Sequence, residues 1–230
     1  TRGKPMLLKP WYDIVKPRNE LYDASAPETL QFSVNLEKVC EDQTLEEYSN
    51  PASFFTHTYL TGSLTHLASE VIRRLAGDTT EAHAVFHVIG HPGEGKTHAL
   101  TLLHHLTQHG DEARPWIGIQ KILAAAGVSS IPQVHTAVFV GTEFDVQKGR
   151  RGKRTEPLRK TPWGESAFQL GGKEAYAAIS ACDEQMVAPE KDVLRDILNE
   201  NLPCLILIDD LVEYALRAQT YGMVEQCCRF

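Results

Sequence analysis

Hydrophobic residues recur along this chain with two different periods. Over several stretches they return every three or four positions, which is typical of helices that bury one face. The clearest such helix is predicted from Ser63 to Leu75, and Gly77 ends the pattern. Further helices are predicted over Ala99–Leu106, Ile117–Ala126, Glu174–Cys182, Val193–Leu198 and Leu211–Gln226.

Three shorter runs are mostly apolar and have the length of strands that are buried on both faces. They are Ala84–Ile89, Thr136–Val140 and Cys204–Ile208. Strands that alternate with amphipathic helices are typical of α/β proteins with a parallel sheet. The pattern therefore predicts an α/β fold with a mainly parallel sheet.

The first apolar run leads directly into a loop of the phosphate-binding type. Residues Gly90–Thr97 read Gly-His-Pro-Gly-Glu-Gly-Lys-Thr, which matches Gly-x-x-x-x-Gly-Lys-Ser/Thr. Glycines let such a loop turn so that its N–H groups point at phosphate oxygens. Lys96 is expected to neutralise the β- and γ-phosphates, and the Thr97 hydroxyl to bind Mg²⁺. The alternative is a flexible glycine turn between a strand and a helix.

The predicted nucleotide-binding residues extend one position beyond this loop. They are Gly90, His91, Pro92, Gly93, Glu94, Gly95, Lys96, Thr97 and His98. His98 is included because it directly follows Thr97 and is expected near the base or the sugar. The other histidines lack the spacing of metal ligands, and we expect them to be structural.

The last apolar run ends in two adjacent carboxylates, Asp209 and Asp210. Beside a phosphate loop, the first such carboxylate holds the Mg²⁺ hydration shell and the second orients or deprotonates water. We assign these roles to Asp209 and Asp210 in that order. The alternative is that the pair caps the helix beginning near Leu211, since Asp is a favoured N-cap residue.

The middle run is followed by the polar stretch Gly141–Asp145, which reads Gly-Thr-Glu-Phe-Asp. In open α/β sheets, ligands bind outside the carboxyl ends of the strands. Glu143 is therefore the third candidate catalytic residue, beside Lys96 and Asp210. A solvated carboxylate in a loop is the alternative.

Basic residues are concentrated in a predicted loop insertion over residues 146–165. They are Lys148, Arg150, Arg151, Lys153, Arg154, Arg159 and Lys160. Such a cluster is suited to contact the phosphate backbone of nucleic acid, with strong dependence on salt. A solvated flexible loop is the alternative, because no aromatic residue is interleaved for base stacking.

Composition limits the class of protein. The chain has 230 residues, of which 42% are hydrophobic, and a formal net charge of −7. These values indicate a globular protein and argue against general attraction to nucleic acid. No stretch reaches the roughly 20 apolar residues of a membrane span, and the cysteines lack metal-binding spacing. We expect a cytoplasmic protein without membrane association. Residues 1–60 are expected to form an extended arm with short helices, one of them around Val34–Cys40, and residues 61–230 an incomplete P-loop NTPase core.

Several stretches together resemble the N-terminal part of one family. They are Lys9–Tyr12, Thr58–Thr61, Gly95–Leu100, Phe139–Asp145, Arg159–Glu165 and the strand of Asp209. The family is a large prokaryotic group catalogued as a domain of unknown function, similar to AAA-type ATPases and often encoded beside DNA methyltransferases in anti-phage islands. The resemblance implies an AAA-like P-loop NTPase that uses ATP and Mg²⁺. It further implies a DNA methyltransferase or restriction partner and a homo-oligomer.

The sequence departs from the family pattern at two places. The usual Asp-Glu pair is Asp209–Asp210, and the shorter second side chain predicts slow hydrolysis. The loop also carries Glu94, whose negative charge should weaken phosphate binding unless the side chain points outward.

Two functions remain open at this point. One is Mg²⁺-dependent ATP hydrolysis in a DNA-modification or phage-defence setting. The other is a nucleotide-dependent switch module that binds a DNA-modifying partner and hydrolyses little ATP by itself. A small-molecule kinase is less favoured, because the sequence shows no evident lid or acceptor site.

The predicted sheet lacks one strand of a P-loop ATPase. ATPases with a catalytic carboxylate beside the Asp of the third strand insert a further strand between the first and the third. No apolar run after Ile208 is a candidate for it. We therefore expect a three-layer α/β sandwich truncated after the strand of Asp209, with unpaired main-chain groups beside the central strand.

Residues 1–230 alone are expected to be marginally stable and to hydrolyse ATP slowly, because of this uncovered strand and the missing sensor residues. Thermal melting followed by circular dichroism and steady-state phosphate release test both expectations. A cooperative melt together with ordinary turnover would contradict them.

Overall fold

The computed structural model describes residues 10–16, 34–153 and 155–222. The chain divides into two units, residues 1–33 and 34–230. In the described part of the first unit, Trp11–Ile14 form a single helical turn, α1. Within it, the rings of Trp11 and Tyr12 meet edge to face with centroids 5.9 Å apart. Residues 1–9 and 17–33 of the predicted arm lie outside the described residues.

The second unit alternates helices with short strands. Its helices are α2 (Leu36–Cys40), α3 (Glu46–Ser49), α4 (Pro51–His57), α5 (Gly62–Leu75), α6 (Lys96–His109), α7 (Ile119–Ala126), α8 (Pro162–Gln185), α9 (Lys191–Glu200) and α10 (Leu211–Thr220). Its strands are β1 (His135–Val140), β2 (Arg150–Arg151), β3 (Leu158–Arg159) and β4 (Cys204–Asp209). Within the described ranges, no helix combines the length and the apolar character that a membrane span requires.

The predicted helices correspond to α2 and to α5 through α10. The sequence prediction was too short for α8, which runs from Pro162 to Gln185 and kinks at Gly171 and Gly172. For α10 the prediction is confirmed as far as Thr220, and residues 223–226 lie outside the described part. Helix starts follow local capping: the Thr61 hydroxyl, for example, accepts a hydrogen bond from the Leu64 N–H at 3.1 Å.

β1 and β4 form a parallel two-stranded sheet. His135 lies opposite Cys204 at one end, and Val140 lies opposite Asp209 at the other. Two of the predicted strands, their parallel sense and the α/β class are thereby confirmed. Because both strands end at the same edge, the polar residues that follow them lie close together.

The two outer edges of this sheet differ. Beside β1, the Gln169 side chain of α8 accepts a hydrogen bond from the Val138 N–H at 2.7 Å and donates to the Val138 C=O at 2.8 Å. This amide takes the place of a neighbouring strand at the middle of β1. Beside β4, no further strand pairs within the described part of the chain. Ile206 and Ile208 of β4 are each 37% exposed.

The prediction of a buried strand over Ala84–Ile89 is wrong. The segment has no regular structure, and Val85 and Ile89 are 70% and 92% exposed. A strand requires the N–H and C=O groups of a neighbour, and no described strand pairs with this segment. Within it, Phe86 packs against the main core.

The main hydrophobic core lies where the N-terminal helices, α5, α6 and α7 meet the sheet. Its fully buried side chains include Leu36, Phe54, Phe55, Ile72, Leu102, Leu106, Ile119 and Ile122. Three of these residues come from positions 34–60, which the sequence assigned to the arm. This region therefore contributes to the core that supports α6.

Three histidines of α6 are packed into this core. The His98 ring lies 4.6 Å from the Phe54 ring, and His105 Nε2 donates to the Tyr48 carbonyl at 2.8 Å. His104 is only 9% exposed. Burial lowers the pKa of all three residues, and that of His104 to about 4. These imidazoles are therefore neutral in the folded protein at neutral pH.

A polar cluster fixes the start of α8 against the antiparallel β2–β3 hairpin. The Arg159 guanidinium lies 2.8 Å from Glu165 and 3.0 Å from Glu156, and it stacks on the Phe168 ring at 4.4 Å. The predicted basic insertion of residues 146–165 thus contains this hairpin and the first turn of α8.

Asp183 connects the other end of the helix to the same region. Its carboxylate is fully buried and accepts hydrogen bonds from the Lys160 N–H and from the hydroxyls of Thr161 and Tyr176. A side chain on Gly164 would collide with this carboxylate. The stretch Thr161–Glu165 therefore has a structural role, because it holds the start of α8 against Asp183 and the hairpin.

Stability is expected to fall as the pH drops from about 7 to 5. The unfolded chain binds protons on its histidines near pH 6.5, whereas His104 stays neutral in the fold until about pH 4. At pH 5 this difference alone lowers the free energy of unfolding by about 2 kcal/mol. Urea denaturation at both pH values measures the loss, which His104→Gln should reduce and His66→Gln, on an exposed position of α5, should not. An equal pH dependence in both variants would contradict this account.

Candidate functional site

The predicted phosphate loop connects the irregular segment to α6. Gly93 and Gly95 have φ values of +85° and +82°, a left-handed conformation that favours glycine. The first main-chain hydrogen bond of the helix runs from the Ala99 N–H to the Gly95 C=O at 2.9 Å. The N–H groups of the first helical turn therefore have no helical partner, as at any helix start.

Two charged side chains of the loop bond its own main chain. The Lys96 ammonium donates to the carbonyls of Gly90 and His91 at 3.0 and 2.9 Å. The Glu94 carboxylate accepts a hydrogen bond from the His91 N–H at 2.8 Å. Glu94 is thus folded back onto its own loop, and the ammonium is held at the carbonyl groups.

One hydrogen bond joins this loop to the second predicted motif. The Thr97 hydroxyl donates to Asp209 Oδ2 at 2.7 Å, across 112 positions of the sequence. Asp209 is the last residue of β4 and is 6% exposed. Its other oxygen accepts a hydrogen bond from the Asp210 N–H at 3.1 Å. The structure therefore brings together the two residues that the sequence assigned to Mg²⁺.

The environment of Asp209 has opposing effects on the pKa of its carboxyl group. Burial raises its pKa, while the hydrogen bond from Thr97 lowers it; burial is the larger effect. The charge of Lys96 also lowers the pKa of this carboxylate, but less than the hydrogen bond from Thr97 does.

Asp210 follows β4 in a left-handed conformation, with φ at +50°. It occupies the N-cap position of α10, but its side chain forms no capping hydrogen bond. The carboxylate is exposed and has no hydrogen bond or ion pair with other described residues. It is therefore accessible to a ligand beside Asp209, which is not how a helix cap is arranged.

Glu143 lies in the loop after β1, at the same end of the sheet. Its carboxylate accepts a hydrogen bond from Asn35 Nδ2 at 2.6 Å, and Asn35 is the N-cap residue of α2. In the same loop, Gly141 lies against the carbonyl of Asp210, where a Cβ atom would collide. The two strand ends are therefore in direct contact, but the Glu143 carboxylate is bonded to α2.

Arg217 of α10 is a residue of this region that sequence reasoning missed. Its guanidinium donates to the carbonyls of Gly141 and Phe144, the latter at 3.1 Å. It thereby ties α10 to the loop after β1. No sequence signal marks it, because an arginine on an amphipathic helix is ordinarily solvated.

His98 is positioned by the core next to the loop. Its Nε2 lies 3.1 Å from the Thr58 hydroxyl, and its ring contacts Phe54 as described above. These contacts leave its side chain half-buried. A role near the base or the sugar of a nucleotide stays a prediction.

The predicted basic cluster separates into two groups. Arg150 lies 2.6 Å from Glu37, and Arg159 forms the buried pair with Glu165, so these two cations are already neutralised. The exposed cations of the cluster are Lys148, Arg151 and Lys153. Lys160 is half-buried, and Arg154 lies outside the described residues. A nucleic-acid contact through the exposed group stays a prediction.

A cavity of about 550 Å³ lies near this ion-pair network. Its walls include Glu37, His104, Thr136, Arg150 and Glu165. None of its lining residues belongs to the phosphate loop or to the Asp209–Asp210 pair. The candidate site at the strand ends is therefore separate from this cavity.

The Thr97 hydroxyl and the Asp209 carboxylate are oxygen donors of the kind that a magnesium ion binds together with a ligand. Among the described residues, no cluster of three or more His, Cys, Asp or Glu side chains is arranged to hold a metal by itself. Mg²⁺ commonly takes only one or two protein oxygens and completes its shell with water and phosphate. Thr97 and Asp209 supply one hydroxyl and one carboxylate oxygen of this kind.

The chain is similar to a known family over nearly its whole length. A family model described as the DUF499 N-terminal domain matches residues 10–226. No curated protein and no solved structure shows significant similarity to the chain. The resemblance to a family catalogued as a domain of unknown function is confirmed at this level, and the chain belongs to the DUF499 N-terminal domain family.

Proposed function

We propose that this chain binds ATP with Mg²⁺ at the phosphate loop and serves as the nucleotide-binding part of an AAA-like ATPase. The observation that carries the proposal is the 2.7 Å hydrogen bond from Thr97 to Asp209. It joins the hydroxyl that ends a Gly-x-x-x-x-Gly-Lys-Thr loop to the carboxylate that ends a buried strand. P-loop hydrolases hold Mg²⁺ with this pair of groups.

The loop supplies the groups that would bind phosphate. The unpaired N–H groups at the start of α6 and the positive end of the helix dipole favour an anion there. The Lys96 ammonium is bonded to two loop carbonyls, and it can exchange these neutral partners for the charged oxygens of a phosphate. Charge-assisted hydrogen bonds of this type are stronger than the neutral ones they replace.

Mg²⁺, when bound, would neutralise phosphate charge and orient the transferring group. Thr97 and Asp209 would hold it on the protein side. Because Asp209 is nearly completely buried, its carboxylate is fixed in one orientation before the ligand arrives, which reduces the entropy lost on binding.

Attack of water on the γ-phosphate requires a group that orients or deprotonates it. Asp210 is the better candidate, because its carboxylate is exposed and has no described partner. Glu143 is the second candidate, and it would have to share or release the hydrogen bond from Asn35. Lys96 stabilises the charge that develops on the phosphate oxygens.

The open edge of β4 supports the more specific proposal of a P-loop sandwich. In that fold a further strand lies between the strand before the phosphate loop and the strand of Asp209. Here the edge of β4 has no described partner, and the segment Ala84–Ile89, which leads into the loop, is mostly exposed and pairs with no described strand. An added strand would pair with β4 and give this segment a neighbour of its own.

A nucleotide-dependent switch module with little hydrolysis is the second candidate function. Asp210 is one methylene shorter than glutamate, and the carboxylate of Glu143 is engaged with α2. Both features favour binding over rapid turnover. Tight ATP binding without phosphate release would support this function.

The proposed setting is cytoplasmic DNA modification or phage defence. The family resemblance supports this setting, together with a DNA methyltransferase or restriction partner and a homo-oligomeric assembly. The exposed residues Lys148, Arg151 and Lys153 are the proposed contact for nucleic acid.

Lys96→Ala is expected to weaken ATP binding by about 10- to 100-fold, because it removes charge-assisted hydrogen bonds to phosphate. Titration with a fluorescent ATP analogue measures the change. Lys191→Ala, which removes an exposed lysine at the start of α9, is the matched control and should bind as the wild type does. A wild type that never saturates, or a Lys96→Ala variant that binds equally well, would refute the proposed function.

Mg²⁺ is expected to increase the nucleotide affinity of the wild type. In Asp209→Asn this increase is expected to be smaller by a factor of at least about ten, since the metal loses a charged ligand. Asp210→Asn should keep this gain and instead lower the rate of phosphate release. Titrations with Mg²⁺ and with EDTA, followed by single-turnover assays, separate the two effects. Equal losses of Mg²⁺ response in both variants would contradict the assignment of Asp209.

A further inference from the structure

Glu94 is the one feature of the phosphate loop that opposes its proposed ligand. Its carboxylate accepts a hydrogen bond from the His91 N–H at 2.8 Å, within a loop whose N–H groups are proposed to bind phosphate. Its own main-chain N–H closes the same turn by bonding the His91 carbonyl at 3.3 Å. The loop therefore holds an anion of its own.

The Glu94 carboxylate also lies directly against the start of the loop. A Cβ atom built on Gly90 would come within 2.5 Å of Glu94 Oε2. The Glu94 carboxylate therefore lies in the space next to the first glycine of the motif. This contact fixes where the negative charge is located relative to the loop.

The charge of Glu94 is not neutralised by a neighbouring cation. Among the described residues it forms no ion pair, and the nearby Lys96 ammonium is bonded to the carbonyls of Gly90 and His91. A polyphosphate entering the loop therefore meets a full carboxylate charge. The resulting repulsion increases in proportion to the charge of the ligand.

We infer that Glu94 makes the loop selective for the magnesium complex of the nucleotide over the free nucleotide. This inference rests on the proposed function. Free ATP carries about four negative charges and Mg–ATP about two. The electrostatic repulsion energy between the Glu94 carboxylate and the ligand is therefore about twice as large for free ATP. Glu94 acts as a specificity-determining residue, and its hydrogen bond to His91 keeps its charge at a fixed place.

Glu94→Gln tests this selectivity, because it removes the charge and keeps an oxygen that can accept the His91 N–H. The experiment titrates the full 230-residue chain with a fluorescent ATP analogue, once with Mg²⁺ and once with EDTA. Glu94→Gln is expected to bind the free analogue about tenfold more tightly and the magnesium complex about threefold more tightly. The preference for the magnesium complex then falls about threefold.

Two further variants complete the comparison. Glu200→Gln, at the end of α9 and next to the opposite end of β4, removes the same charge elsewhere and should leave both affinities unchanged. Glu94→Ala removes the charge and the acceptor together. If Glu94→Gln equals the wild type, or changes both affinities by the same factor, selectivity by charge is overturned. If both Glu94 variants bind more weakly, the residue only shapes the loop, and the inference is likewise overturned.

Lys96→Ala distinguishes failure of this inference from failure of the proposed function. If the wild type saturates, Lys96→Ala does not, and Glu94→Gln matches the wild type, the inference about Glu94 alone fails. If no variant binds either form while thermal melting shows that all are folded, the proposed function and the inference both fail. If the wild type binds only the magnesium complex and Glu94→Gln also binds the free nucleotide, the result supports the inference.

Discussion

The hydrogen bond between Thr97 and Asp209 is the interaction on which the candidate site depends. It fixes the first turn of α6 against the last residue of β4, at a distance of 2.7 Å. Asp209 can be buried at this point because both of its oxygens have donors, the Thr97 hydroxyl and the Asp210 N–H. Without these donors a carboxylate at the end of a buried strand would be strongly unfavourable. The same contact places the predicted phosphate loop at the strand ends.

Main-chain pairing limits how far the sheet extends. On the β1 side, the Gln169 amide bonds both polar groups of Val138 and closes the middle of that edge. On the β4 side, the described part of the chain offers no such partner. An apolar sequence is therefore not sufficient to make Ala84–Ile89 a strand, because its polar main-chain groups also need a neighbour.

Several residues that suggest ligand binding in the sequence are used to build the fold. Arg159 is paired with Glu165 and stacked on Phe168, and Arg150 is paired with Glu37. Such pairs are costly to break, because removal of one partner leaves a buried charge behind. These two ion pairs connect the β2–β3 hairpin with α2 and α8. They lie near the edge of β1 that does not face β4.

The sequence by itself determined the helices α2, α5, α6, α7, α9 and α10, the second part of α8, the strands β1 and β4, and the glycine loop, because each depends on local periodicity or on a contiguous motif. It also assigned Thr97 and Asp209 to the same proposed Mg²⁺, because each belongs to a recognisable motif. Only the tertiary structure decided that Ala84–Ile89 stays unpaired, that Arg150 and Arg159 are neutralised, and that Arg217 and Asn35 hold the loop after β1. The physical reason is that edge pairing, ion pairs and side-chain to main-chain bonds join residues far apart in the chain, and no local pattern encodes them.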